Sequence, residues 1–117
     1  MNHMGTMVFV NFPVADVQRS TAFYEKLGFK KNEEFSTEEA SSMMWDDQFW
    51  IMLLNHDFYG KFIQEKQIID AQTTSGALIS FSLESAEAVK QFGETAKANG
   101  GNCYRVDMGI PEEQMYG

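Results

Sequence analysis

At 117 residues the chain is long enough for one domain with a core of its own, and 44% hydrophobic residues with 14% aromatics exclude a disordered segment. A net charge of −8 argues against nucleic acid as a partner, because binding a phosphate backbone depends on clustered Lys and Arg. One cysteine, Cys103, excludes an internal disulfide and suits a cytoplasmic protein, and no apolar run reaches the roughly 18 residues of a membrane-spanning helix.

The start "MNHMGTM", which holds His3, lacks the basic flank and apolar stretch of a signal peptide. "MVFVNFPV" alternates next, with Val8, Val10 and Phe12 on one face and Phe9 and Asn11 on the other, as in a strand with one face on helices. Asp16 is a natural N-cap, Ser20, Phe23, Tyr24 and Leu27 recur at helical spacing within Arg19 to Leu27, and Gly28 suits a left-handed C-cap. A strand followed by an amphipathic helix is expected.

"FKKNEEF", "SSMMWDD" and "FWIMLLN" then read as three strands, with Asp46-Asp47 as the turn between the last two. Met43, Met44 and Trp45 divide between a helix-facing core and the opposite face. The stretch between His56 and Thr74 is a long connection in which Phe58, Phe62 and Ile63 would share one side of a short helix, a length found in lids and partner-contacting arms. The charges of Glu33, Glu34, Glu38, Glu39, Asp46, Asp47 and the Asp107–Glu113 end read as a solvated surface, a cationic ligand being the weaker alternative.

After Gly76 the pattern restarts. "ALISFSL" reads as a strand, Ser85 as an N-cap, and "AEAVKQFGETAKAN" as a helix with Val89, Phe92 and Ala96 inward. Gly100-Gly101 stops that helix and "NCYRVD" reads as another strand, in which Cys103 is expected to be buried. The second half thus repeats the β-α-β order of the first. It is short by about two strands at Gly117, so either further residues or a partner would complete the sheet, whose open edge is able to pair with another chain.

"VADVQRSTAFYEKLGF" and "FSLESAEAV" followed by "ANGG" resemble the two helix signatures of the vicinal oxygen chelate superfamily, which includes glyoxalase I, extradiol dioxygenases and bleomycin-resistance proteins. The resemblance implies an α+β fold of paired βαβββ modules forming a curved mixed sheet around a cleft, often as a homodimer. On this sequence that gives a single domain over 1–117: module one about 7–55, a connector 56–75, and an incomplete module two 76–117. In metal-dependent members four ligands converge in the cleft, because a divalent ion needs several His or carboxylate donors. The first three positions fall here on Phe9, Met52 and Leu78. The register of Met52 and Leu78 is open by one residue, but the neighbours Ile51, Leu53, Ala77 and Ile79 restore no donor. No metal ligand and no cofactor are therefore expected.

If Phe9 faces the cleft, alternation places Asn11, Trp50, Met52, Leu54, Leu78, Ser80 and Ser82 there as well. That set describes either a largely apolar small-molecule pocket or additional core. His56, sharing the parity of Trp50, Met52 and Leu54, is the candidate acid or base. The expected function is metal-independent binding or sequestration of a small, partly apolar or aromatic molecule. The alternative is a metal-dependent glyoxalase-like lyase or dioxygenase with displaced ligands.

Overall fold

A computed structural model describes residues 5–106, 109–114 and 117, so His3 and Asp107 lie outside the described residues. The chain divides into two compact units, 1–68 and 69–117. The first holds β1 (Val8–Val14), α1 (Val17–Lys26), β2 (Lys30–Lys31), β3 (Ala40–Met44), β4 (Phe49–Asn55) and the short α2 (His56–Gly60). The sheet order is β1-β4-β3-β2, with β1 parallel to β4 and the other pairs antiparallel. This is a complete βαβββ module, and the fold is α+β.

Local chemistry explains these boundaries. The Asp16 carboxylate accepts from the Arg19 amide at 3.0 Å and starts α1. At the other end the Gly28 amide donates to the Glu25 carbonyl and the Phe29 amide to the Tyr24 carbonyl, each at 3.1 Å, with Gly28 at φ +106°. That reversal needs a left-handed residue, and it turns the chain directly into buried Phe29. Between β3 and β4, one Asp46 carboxylate oxygen accepts from the amides of Gln48 and Phe49, both at 2.8 Å, closing the expected hairpin turn.

Register separates the faces of the sheet. Ile51 pairs with Val10 and Met43, and Leu53 with Phe12 and Ser41, on the side that α1 and Phe29 cover. Met43, Ile51, Leu53, Leu27 and Phe29 are its buried core. Trp45 packs on Phe29 with ring centroids 5.1 Å apart, while Met44 pairs with Trp50 on the opposite face, so the Met-Met-Trp run is divided as its alternation requires.

The strand expected over "FKKNEEF" is cut to Lys30–Lys31. Asn32 ends it: its side-chain oxygen accepts from the Phe35 amide at 3.2 Å, and its carbonyl accepts from the Ser36 hydroxyl at 2.6 Å. Side chains thus claim the backbone groups that a ladder would have used.

The second unit holds α3 (Ala86–Ala98), capped by the Ser85 hydroxyl, which accepts from the Ala88 amide at 3.0 Å. The helix closes as expected, with Gly100 at φ +93° and the Gly101 amide donating to the Ala96 carbonyl at 2.8 Å. The strands expected at 77–83 and 102–107 are corrected: 77–83 and 102–106 lie in no strand, and among the described residues this unit has no sheet. An alternating sequence supplies a pleated face, but a strand exists only where a neighbour completes its ladder. Cys103 is exposed rather than buried. It lies against α3 at Gly93, where an added Cβ would come within 2.6 Å of its sulfur.

Candidate functional site

The face of the sheet opposite α1 gathers the sequence-predicted cleft residues of the first unit. Cα pairing sets Phe9 opposite Trp50, Asn11 opposite Met52, and Pro13 opposite Leu54. On the other flank Trp50 pairs with Met44, Met52 with Ser42, and Leu54 with Ala40. Five of the eight candidate residues therefore share one surface, and burial gives them different tasks. Trp50 is only 6% exposed and Leu54 only 2%, so they form the floor, while Met52 is half-buried and Phe9, at 47%, stands open. Leu54 is core.

Phe9 and Trp50 pack with ring centroids 5.4 Å apart and planes tilted by 47°. The indole is fixed from below, its Nε1–H donating to the Asp47 carbonyl at 3.1 Å. The Asn11 amide nitrogen donates to the Phe9 carbonyl at 3.3 Å, which places a polar side chain beside the aromatic pair.

The remaining three candidates stand elsewhere. β4 ends at Asn55, whose side-chain oxygen accepts from the Phe58 amide at 2.8 Å and so starts α2. His56 is then the exposed first residue of a helix, and does not extend the strand's parity as expected. Leu78 (91% exposed) and Ser80, like Ser82, belong to the second unit and are solvent-facing there.

Phe35 is an aromatic of this face that sequence reasoning missed. Its ring lies 6.2 Å from that of Trp50, edge-on, and it stands outside the strand that the sequence leads one to expect there. What brings it there is fully buried Ser42, whose hydroxyl donates to the Phe35 carbonyl at 2.6 Å and whose amide donates to the Ser36 hydroxyl at 3.0 Å. A buried serine in an apolar strand is the readable signal, since it must find an acceptor.

Burial on α1 raises the Tyr24 phenol above its ordinary value, because the interior disfavours phenolate. It belongs to the helix layer, away from the Phe9 face.

Residues 6–43 match the bleomycin resistance protein-like N-terminal family. That match covers 38 of the 117 residues, all within the first unit, and is a likeness to that family. No curated protein matches the chain. Among solved structures it is similar to a hypothetical protein, SA1046, from S. aureus, with a TM-score of 0.64 and 24% identity over 85% of this chain and 72% of that one. It is also similar to a glyoxalase/bleomycin resistance protein/dioxygenase family enzyme from Burkholderia phytofirmans PsJN, with a TM-score of 0.58 and 22% identity over 82% of this chain and 74% of that one. At these identities the likeness is one of fold, and the metal question falls to the residues of this chain.

The residues that the sequence resemblance sets at ligand positions in the first module are Phe9, which has no donor atom, and Met52, whose thioether suits only soft ions. Leu78, in the second unit, adds no donor. Among the described residues no three His, Cys, Asp or Glu side chains gather in a metal-ligating group. This set does not fit a divalent cation, which needs several nitrogen, oxygen or thiolate ligands. Among the described residues no helix is long and apolar enough to cross a membrane.

Proposed function

We propose that this glyoxalase/bleomycin-resistance-like protein binds or sequesters a small, partly apolar or aromatic molecule on the sheet face of Phe9, Asn11 and Met52, without a metal, as a cytoplasmic homodimer. The observation that carries this reading is Phe9. Where the resemblance implies a metal ligand, this residue presents a half-open aromatic ring packed at a tilt on a buried indole. Small-molecule sites are built of such apolar surface with a few polar groups, and Asn11 supplies an amide at the edge. The Ser42-pinned loop 32–39 keeps the face in shape before anything binds, which lowers the ordering cost of association.

The test is a titration in excess chelator with metal-free bleomycin and a panel of uncharged planar aromatics, followed by tryptophan emission and calorimetry. Saturable binding that Phe9→Ala and Met52→Ala weaken supports the reading. One equivalent of Zn, Ni, Fe or Mn bound tightly by the purified protein, or metal-dependent turnover of a methylglyoxal–thiol adduct or a catechol, would overturn it in favour of a lyase or dioxygenase. The homodimer fails separately if sedimentation gives a monomer.

A further inference from the structure

Asn99 and Gly100 are the one Asn-Gly pair in the sequence, and both stand exposed where α3 ends. Such a pair has a chemistry of its own. A backbone nitrogen that follows asparagine can attack the side-chain carboxamide carbon, and glycine, with no Cβ, leaves that nitrogen the least hindered approach. In this cyclisation a bond forms from the Gly100 nitrogen to the Asn99 Cγ, the side-chain amino group departs with the Gly100 amide proton as ammonia, and a succinimide remains. Water then opens the ring at either carbonyl, giving aspartate or isoaspartate at position 99.

The fold holds this reaction back. With ψ of Asn99 at 23°, the Gly100 nitrogen nearly eclipses the nitrogen of Asn99, whereas ring closure needs it to eclipse Cβ. The carboxamide is also occupied: Nδ2 donates to the Thr95 carbonyl at 2.8 Å. The Asn99 amide donates to the Thr95 and Ala96 carbonyls, each at 3.2 Å, and the Gly101 amide to the Ala96 carbonyl at 2.8 Å. Swinging ψ toward closure carries Gly101 away from Ala96, and freeing Cγ releases Nδ2 from Thr95. The last turn of α3 must therefore open before the ring can close, and helix ends are where such opening costs least.

We propose that Asn99 is a site of spontaneous deamidation, gated by fraying of the last turn of α3. The product does not restore that turn. Where the carboxamide donated to the Thr95 carbonyl, aspartate presents a negatively charged acceptor to a helix end whose carbonyls already carry partial negative charge. Isoaspartate also adds a carbon to the main chain between α3 and Gly100. Both products loosen the end of α3, in a unit that among the described residues has no sheet.

The full chain and a free peptide of residues 95–105 are incubated side by side in one mildly alkaline buffer. Trypsin, cleaving after Lys97 and Arg105, releases residues 98–105 from both, and fragmentation in the mass spectrometer separates Asn99 from Asn102. Expected is conversion at Asn99 about tenfold slower in the folded chain than in the peptide, rising to the peptide rate as urea unfolds the protein. Asn99→Gln should abolish it on this timescale, because the longer side chain would have to close a larger ring. Asn99→Asp, which is one of the products, should lower the urea midpoint and the helical circular dichroism. Conversion in the folded chain at the peptide rate, or a rate that urea leaves unchanged, refutes the gate. Conversion at Asn102 in place of Asn99, or none at Asn99 long after the peptide is exhausted, refutes the site. An Asn99→Asp variant with the parent's midpoint and helix signal refutes the loosening.

Discussion

Gly28→Ala probes the hinge on which the first module turns. Two costs add at this position. The backbone sits at φ +106°, where an L side chain is strained, and a left-handed or rarer conformation costs about 1–3 kcal/mol for a non-glycine residue. The new Cβ would also stand 3.3 Å from Trp45 Cζ3, closer than ordinary contact, against a ring already packed on Phe29. A loss of about 2–3 kcal/mol is expected, a large part of a typical stability of about 5–15 kcal/mol. Urea unfolding followed by tryptophan emission measures it, with Gly60→Ala as the control: no atom lies within 4 Å of a Cβ there, so a change of no more than about 0.5 kcal/mol is expected. Trp45→Leu removes the steric neighbour but leaves the torsion, so a double-mutant cycle separates the two costs. Should Gly28→Ala unfold within 0.5 kcal/mol of the parent, roughly the control's own range, the torsional argument is refuted.

Leu53, fully buried between β1 and β3, leaves a cavity on truncation, and Leu53→Ala should cost about 2–5 kcal/mol in the same urea assay. Asp16→Ala removes the acceptor of the Arg19 amide and should cost about 1 kcal/mol, seen as a lower midpoint with an unchanged slope. Tyr24 contributes on the alkaline side. Its phenol is raised in the folded state, so the stability it lends is whole below pH 10, the ordinary phenol value, and is lost as pH rises toward the folded value. Tyr24→Phe should therefore flatten the alkaline fall of the urea midpoint and leave its neutral plateau sloped as before.

What could be read from the sequence was what local chemistry decides. Asp16, Gly28 and the Asp46 turn each act within three residues, and β4 was legible from Phe49 to Asn55 because an apolar run bounded by turn residues has one economical use. The one-face placement of Phe9, Asn11, Trp50 and Met52 followed from alternation, since β1 and β4 pair without a bulge. His56 went astray through a local signal left unread, the capping asparagine before it. The strands of the second half were misread for a different reason: alternation at "ALISFSL" describes a side-chain pattern, whereas a ladder is a relation between two segments.

Phe35 illustrates the part that no local rule reaches. Its neighbours in the chain are charged, its period fits a strand, and nothing within five residues explains why its ring should meet Trp50. The explanation lies at Ser42, in β3, whose buried hydroxyl is satisfied by the Phe35 carbonyl. One buried hydroxyl thus decides where an aromatic wall stands. The same logic links the two faces of the module: apolar contacts on the α1 side hold the sheet, and on the other side a polar anchor leaves rings open instead of packing them away. Polar satisfaction at Ser42 and ring exposure at Phe35 are in this sense one feature, and substituting either should alter the other.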